Sequence, residues 1–199
     1  PSEHTPVTSA LMGKMFASVF DETEIAVFTG GPEVGKTFSG LPFDHLLFTG
    51  ATSVGRHVMR AAAENLVPVT LELGGKSPVV VGRGAKLKET ADKIMAGKLL
   101  NAGQICLAPD YVFVPNEQAS DLVDALRASV EEMYGTLESN PDYTAVINER
   151  HKGRLEGYKQ EAESRGAELV EINPAGEDFS GSSHHKMAPV LVLDPADDS

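Results

Sequence analysis

Short apolar runs of strand length alternate with longer stretches of helical spacing through most of this chain, and that alternation restricts the fold more than any other feature. Residues 45–48 (HLLF), 67–73 (VPVTLEL), 78–81 (PVVV) and 111–114 (YVFV) are short and rich in Val, Leu and Phe, as strands covered on both faces of a sheet are. Between them stand 52–65 (TSVGRHVMRAAAEN), opened by Thr52, and 86–100 (KLKETADKIMAGKLL), each long enough to cross over as a helix from one parallel strand to the next. Strand, helix, strand repeated in this order predicts an α/β fold, with parallel sheets carrying helices on both faces.

The same grammar extends in both directions. Residues 8–18 (TSALMGKMFAS) read as a helix behind a Thr cap, 24–28 (EIAVF) as a strand, and 31–40 as a short helix. Residues 117–134 form an amphipathic helix, 149–165 a strongly charged one, and 190–194 (VLVLD) a last strand with no evident partner. Both ends have the look of cuts, so the chain reads as a fragment spanning parts of two domains. The loop at 173–183 is rich in Gly, Pro and Ser, and His184-His185 beside it reads as a solvated pair rather than a metal site.

A chain of 199 residues with 41% apolar side chains suits a packed core. Its formal net charge of -12 opposes a polyanionic partner, so nucleic acid is not expected. No apolar run approaches the ~18 to 20 residues that span a bilayer, and the first ten residues do not resemble a signal segment. No membrane partner and a cytoplasmic location are therefore expected. The single cysteine, Cys106, has no disulfide partner within the chain and lacks the neighbours of a zinc site. Any function it has is that of a thiol, and no metal is expected.

Residues 30–37 (GGPEVGKT) spell G-x-x-x-x-G-K-[ST], the phosphate loop of nucleotide triphosphatases. Glu33, however, puts a carboxylate where phosphate charge would sit, and no acidic residue closes the early strands to hold magnesium. The nucleotidase reading is thus a minor alternative, and a strand-to-helix turn built on glycines is the other.

Three segments carry more chemistry. In 48–55 (FTGATSVG) a strand ends at Gly50 and a helix starts near Gly55, offering main-chain amides to a phosphate. In 70–78 (TLELGGKSP) Glu72 interrupts an apolar strand end. It faces solvent or a cleft, and a carboxylate drawn out of water suits general base work. In 100–112 (LNAGQICLAPDYV) Cys106 lies just beyond a helix end, in a turn built on Gly103. A lone cysteine is more often buried and inert than reactive.

Taken in this order and spacing, FTGATSVG, VTLELGGKSP and NAGQICLAPDYV resemble the aldehyde dehydrogenase superfamily. The similarity covers essentially the whole chain, including PSE at the start and KMAPVLVLD near the end. It implies a fold of the aldehyde dehydrogenase type, with 1–74 as the C-terminal half of the NAD-binding domain and 75–199 as the N-terminal half of the catalytic domain. It further implies that Cys106 is the nucleophile, that its amide is one oxyanion donor, and that Glu72 activates the hydrolytic water. For the cofactor, NAD with NADP left open, the resemblance points to Glu3 at the adenosine ribose and Gly31 in a turn at the adenine side. It places Phe48, Thr49, Gly50, Ala51 and Gly55 near the pyrophosphate and Leu73 at the nicotinamide. APDYV and DYTAVINERH resemble the class 3 branch, and the stretch from FDHLLFTG to LELGGKSP resembles bacterial coniferyl aldehyde dehydrogenases. An aromatic aldehyde such as coniferaldehyde as substrate, and a homo-oligomer such as a dimer, are what that likeness implies. The alternative is a truncated piece that folds or assembles without activity.

Overall fold

A computed structural model describes residues 1–181 and 184–195. The chain divides into two compact units, Pro1–Gly74 and Gly75–Ser199. Each unit holds one parallel β-α-β motif.

In the first unit, α1 spans Pro6–Ala17, α2 Pro32–Ser39, β1 Leu46–Gly50, α3 Thr52–Ala63 and β2 Val69–Leu73. Proline opens both α1 and α2, where its fixed φ suits the helix and its missing N–H costs nothing. β1 pairs in parallel with β2, Leu46 opposite Val69 through Gly50 opposite Leu73. The crossover helix α3 lays Val58 and Ala62 over the pair, closing a small core with Leu46 and Val67. Phe38 and Phe43 pack beside that core with ring centroids 4.7 Å apart.

Residues 25–30, within the EIAVF segment expected as a strand and just beyond it, carry no regular secondary structure. The reason is pairing: β1 takes β2 as its only neighbour among the described residues, and an apolar run without a ladder is not a strand. Thr52 is the first residue of α3 rather than its cap. Ala51 occupies the cap position, with no side-chain bond to the first turn.

In the second unit, β3 spans Ser77–Val80, α4 Leu87–Leu99, β4 Pro109–Phe113, α5 Ala119–Tyr134, α6 Glu149–Ser164, β5 Glu168–Glu171 and β6 Val190–Leu193. β3 and β4 are parallel, and α4 crosses between them. α4 and α5 pack together and turn Ala91, Ile94, Met95 and Leu99 towards Leu122, Leu126 and Val130. The spacing of three, four and eight residues puts each set on one helical face. Val81, Leu137, Tyr143, Ile172 and Ala188 complete this core.

β5 and β6 run antiparallel, Glu168 opposite Leu193 through Glu171 opposite Val190. One antiparallel pair thus accompanies the two parallel ones, and residues 190–193 do have a partner. β5 (ELVE) leaves no signal at sequence level, because its two apolar residues sit between glutamates.

The segment 137–140 is held from two sides. The Glu177 carboxylate accepts from the amides of Leu137, Glu138 and Ser139 and from the Ser139 hydroxyl. These bonds, the Leu137 amide foremost, pull its pKa down to about 2. The buried Lys186 ammonium donates to the carbonyls of Leu137, Glu138 and Asn140. One loop therefore satisfies a carboxylate with its N–H groups and an ammonium with its carbonyls. Next to it, the Tyr143 hydroxyl donates to Met187 O at 2.9 Å, and burial pushes its pKa well up.

Candidate active site

Cys106 is exposed, which removes the buried, inert reading. Its placement starts at the end of α4. Beyond Leu99 the chain passes through Asn101, Ala102 and Gly103 at φ of 53°, 53° and 73°. Only glycine takes such angles freely. At Gly103 the requirement is double, since a Cβ there would lie 3.0 Å from the Lys98 carbonyl oxygen. Two non-glycine residues in this region cost about 1 to 2 kcal/mol each, somewhat less for Asn, so something must hold them.

Gln104 supplies much of that hold. Its amide and its Nε2 both donate to Asn101 O, at 3.1 and 3.0 Å, while Asn101 Nδ2 donates to Gln104 O at 3.3 Å. The same carboxamide reaches a second segment, donating from Nε2 to Ala145 O at 3.1 Å and accepting at Oε1 from the Ile147 amide at 2.9 Å. Five hydrogen bonds at about 0.5 to 1.5 kcal/mol each, near the low end because they are exposed, match the cost of the left-handed turn.

Beyond Gln104 a β-turn closes from Ala108 N to Ile105 O at 3.1 Å, with Cys106 inside it. No described residue accepts a hydrogen bond from the Cys106 amide. That donor remains available to a developing oxyanion. The Cys106 carbonyl lies against Gly75, where a Cβ would be 3.1 Å away, and Pro109 packs against Gly97 of α4. Lys98, on the last turn of α4, has its pKa lowered by burial, against the opposing pull of Asp110.

Glu72 stands on β2 in register with Thr49, its side chain exposed in the alternating pattern of that strand. It belongs to the first unit and Cys106 to the second.

The structure gathers part of the expected cofactor set within the first unit. A Cβ on Gly50 would meet the Phe48 ring at 2.6 Å, and one on Gly55 would meet Leu73 Cδ2 at 3.0 Å. Phe48, Gly50, Gly55 and Leu73 thus form one cluster, with Thr49 and Ala51 exposed beside it. These glycines also serve close packing of α3 on the strands. The first turn of α3 has no side-chain cap and no acidic residue, which suits it to an anion. Glu3 makes a different contact, 3.8 Å from the His4 ring, and Gly31 is the cap residue of α2.

The phosphate-loop reading of residues 30–37 fails on geometry. α2 begins at Pro32, so Val34 N and Gly35 N already donate to Gly31 O where a phosphate loop would leave its amides open. The Lys36 ammonium is paired with the Glu33 carboxylate at 2.6 Å.

His185 is also not simply solvated, because its Nδ1 is 3.0 Å from the Glu149 carboxylate. Among the described residues no group of three or more His, Cys, Asp or Glu could hold a metal, and no helix is long and apolar enough to cross a membrane.

The role of Gln104 escaped sequence reasoning. The available signal was Asn101 and Gly103 flanking one residue, both of which tolerate the left-handed region. It marks the turn but not its tether to residues 145–147, which lie about forty positions further on.

The model of the aldehyde dehydrogenase family matches residues 1–199. The chain is 61% identical over 198 residues to a probable coniferyl aldehyde dehydrogenase of Caulobacter vibrioides, covering all of this chain and 41% of that protein. It is 51% identical over 198 residues to the coniferyl aldehyde dehydrogenase of a Pseudomonas strain, with the same coverage. Among solved structures, the substrate-bound state of Staphylococcus aureus AldH superposes with a TM-score of 0.87 at 38% identity, over 100% of this chain and 42% of that one. Mycobacterium tuberculosis aldehyde dehydrogenase complexed with NAD+ gives 0.84 at 29% identity, over 98% and 41%. The chain therefore spans about two fifths of the length of the relatives it matches.

Proposed function

Because this chain belongs to the aldehyde dehydrogenase family, we propose that it carries the nucleophile and the general base with which such a protein oxidises an aldehyde to its acid, coniferaldehyde and similar aromatic aldehydes being the substrate class. The relatives at 61% and 51% identity, named for coniferyl aldehyde, support that substrate class. The observation that carries the chemistry is the exposed Cys106 with its unengaged amide at the end of a left-handed turn.

The Cys106 thiolate adds to the aldehyde carbon, forming a C–S bond and a tetrahedral oxyanion that the Cys106 amide stabilises. Collapse of that thiohemiacetal expels the aldehydic hydrogen with its electron pair and leaves a thioester on Cys106. NAD, when bound, supplies the hydride acceptor. Glu72 then takes a proton from water as the water attacks the thioester carbonyl, and the C–S bond breaks to release the acid and the thiolate.

For NAD, the uncapped start of α3 with Thr49, Gly50, Ala51 and Gly55 would hold the pyrophosphate. Phe48 and Leu73 would flank it, with Leu73 at the nicotinamide. Glu3 would take the ribose and Gly31 the adenine side, and the carboxylate of Glu3 would disfavour a 2′-phosphate. On this reading Pro1–Gly74 is the second half of the cofactor domain and Gly75–Ser199 the first half of the catalytic one. Homo-oligomer formation belongs to the same proposal. It draws support from Val80 and Phe113, 77% and 61% exposed on the β3–β4 pair, and a monomeric mass by light scattering would count against it.

The test is Cys106→Ala in the protein carrying this chain. Aldehyde-dependent NADH formation should fall to background, and near-normal turnover would overturn the assignment.

A further inference from the structure

The segment DYTAVINERH, distinctive in the sequence but without a role in the chemistry above, lies against the cysteine turn. Its backbone meets that turn at two atoms, Ala145 O and Ile147 N, and both are bonded to the Gln104 carboxamide. The carboxamide copies a strand's pairing edge, one donor and one acceptor facing an acceptor and a donor two residues apart. Its Nε2 also reaches Asn101 O, inside the left-handed stretch. A single side chain thus ties the start of the turn to residues 145–147.

Those residues are themselves anchored. Val146 N donates to His185 O at 3.2 Å, and the Tyr143 hydroxyl donates to Met187 O. The buried Lys186 between these two anchors is fastened to the 137–140 carbonyls. The turn bearing Cys106 is therefore braced, through Gln104, against a part of the unit that is well fixed.

We propose that Gln104 is a positioning residue: by bonding Asn101, Ala145 and Ile147 at once, it holds the turn that sets the position of the Cys106 thiol and amide. The proposal rests on the reading of Cys106 as nucleophile. Gln104 touches no reacting atom, and its effect is on geometry alone. Displacement of a nucleophile by about an ångström lowers the chemical step by roughly 100-fold while leaving cofactor binding, which belongs to other residues, untouched.

The test uses Gln104→Ala, Gln104→Met and Gln104→Glu in the protein carrying this chain, with Gln118→Ala as control, since Gln118 makes a comparable side-chain bond to Arg83 O. We expect kcat to fall by about 10- to 100-fold in all three Gln104 variants, with KM for NAD within about twofold of the parent, and no such split in Gln118→Ala. Amide exchange adds a readout independent of turnover. Ile147 should lose protection in Gln104→Ala and Gln104→Met but keep it in Gln104→Glu, whose carboxylate still accepts from that amide. Gln104→Met preserves the length of the side chain, so it remains informative if Gln104→Ala does not fold. Unchanged kcat, or unchanged Ile147 exchange in Gln104→Ala and Gln104→Met, overturns the proposal, as does a uniform rise in exchange through the whole unit. If instead Cys106→Ala keeps its turnover while the Ile147 pattern is as expected, the brace is real and the nucleophile reading is what fails.

Discussion

The two parallel β-α-β motifs, β1-α3-β2 and β3-α4-β4, share one architecture and use opposite ends of the crossover helix. In the first, the residues proposed for the chemistry lie where strand passes into helix, at Phe48–Gly55, and at the far end of β2. In the second they lie where helix passes back into strand, at Asn101–Cys106. A strand-to-helix turn presents free N–H groups and the positive end of the helix dipole, which suits a phosphate. The helix-to-strand turn after α4 lacks that helix start and reverses the chain through left-handed residues, leaving the Cys106 amide as an open donor. It is suited to holding one side chain in a fixed place. The cores differ accordingly. Among the described residues, four buried ones centre the first motif, whereas twelve form the cluster that includes α4, so the turn carrying Cys106 stands on the firmer base.

The most severe test of this division of labour is Glu72→Gln. If the first motif supplies the base and the second the nucleophile, steady-state turnover should fall by about 10²- to 10⁴-fold, while a stoichiometric burst of NADH survives. Rapid-mixing absorbance reads both. Loss of the burst as well would mean that Glu72 serves the thiol or the cofactor, and the contrast between the motifs would collapse.

The difference between the cores comes next in size. Met95→Ala in α4, where Met95 is 2% exposed, should destabilise by about 2 to 5 kcal/mol. Val58→Ala in α3 removes fewer atoms from a smaller cluster and should cost about 1 to 2 kcal/mol. Denaturant midpoints followed by a probe in each unit would show whether the order holds. Equal losses would mean that the small core carries as much of the fold as the large one.

The smallest effect concerns acid. The folded state lowers the Glu177 pKa to about 2 from an ordinary 4.5. Its contribution is therefore complete above pH 4.5 and is lost as pH falls towards 2. Glu177→Gln should flatten that limb of the stability profile for the second unit and leave the profile of the first unit as it was. A parallel shift in both units would contradict the assignment of this clamp to one of them.

Much of this was legible in the residues themselves. The β-α-β order, the helices at 52–63 and 87–99, and the segments around Glu72 and Cys106 follow from local periodicity and from short motifs, because a strand or helix declares itself within a dozen positions. The resemblance to the family rested on the same contiguous motifs, and the match over residues 1–199 bears it out.

What tertiary structure decided is of another kind. EIAVF has the composition of a strand but no partner among the described residues, whereas ELVE has little strand character and pairs with β6, since pairing is a property of two segments and not of one. GGPEVGKT spells a phosphate loop, yet Pro32 starts a helix inside it and Glu33 takes its lysine. The tether from Gln104 to Ala145 and Ile147, and the clamp of Glu177 and Lys186 on residues 137–140, join positions 38 to 49 residues apart. Side-chain bonds over such separations leave no period in the sequence, because they depend on where folded segments come to rest.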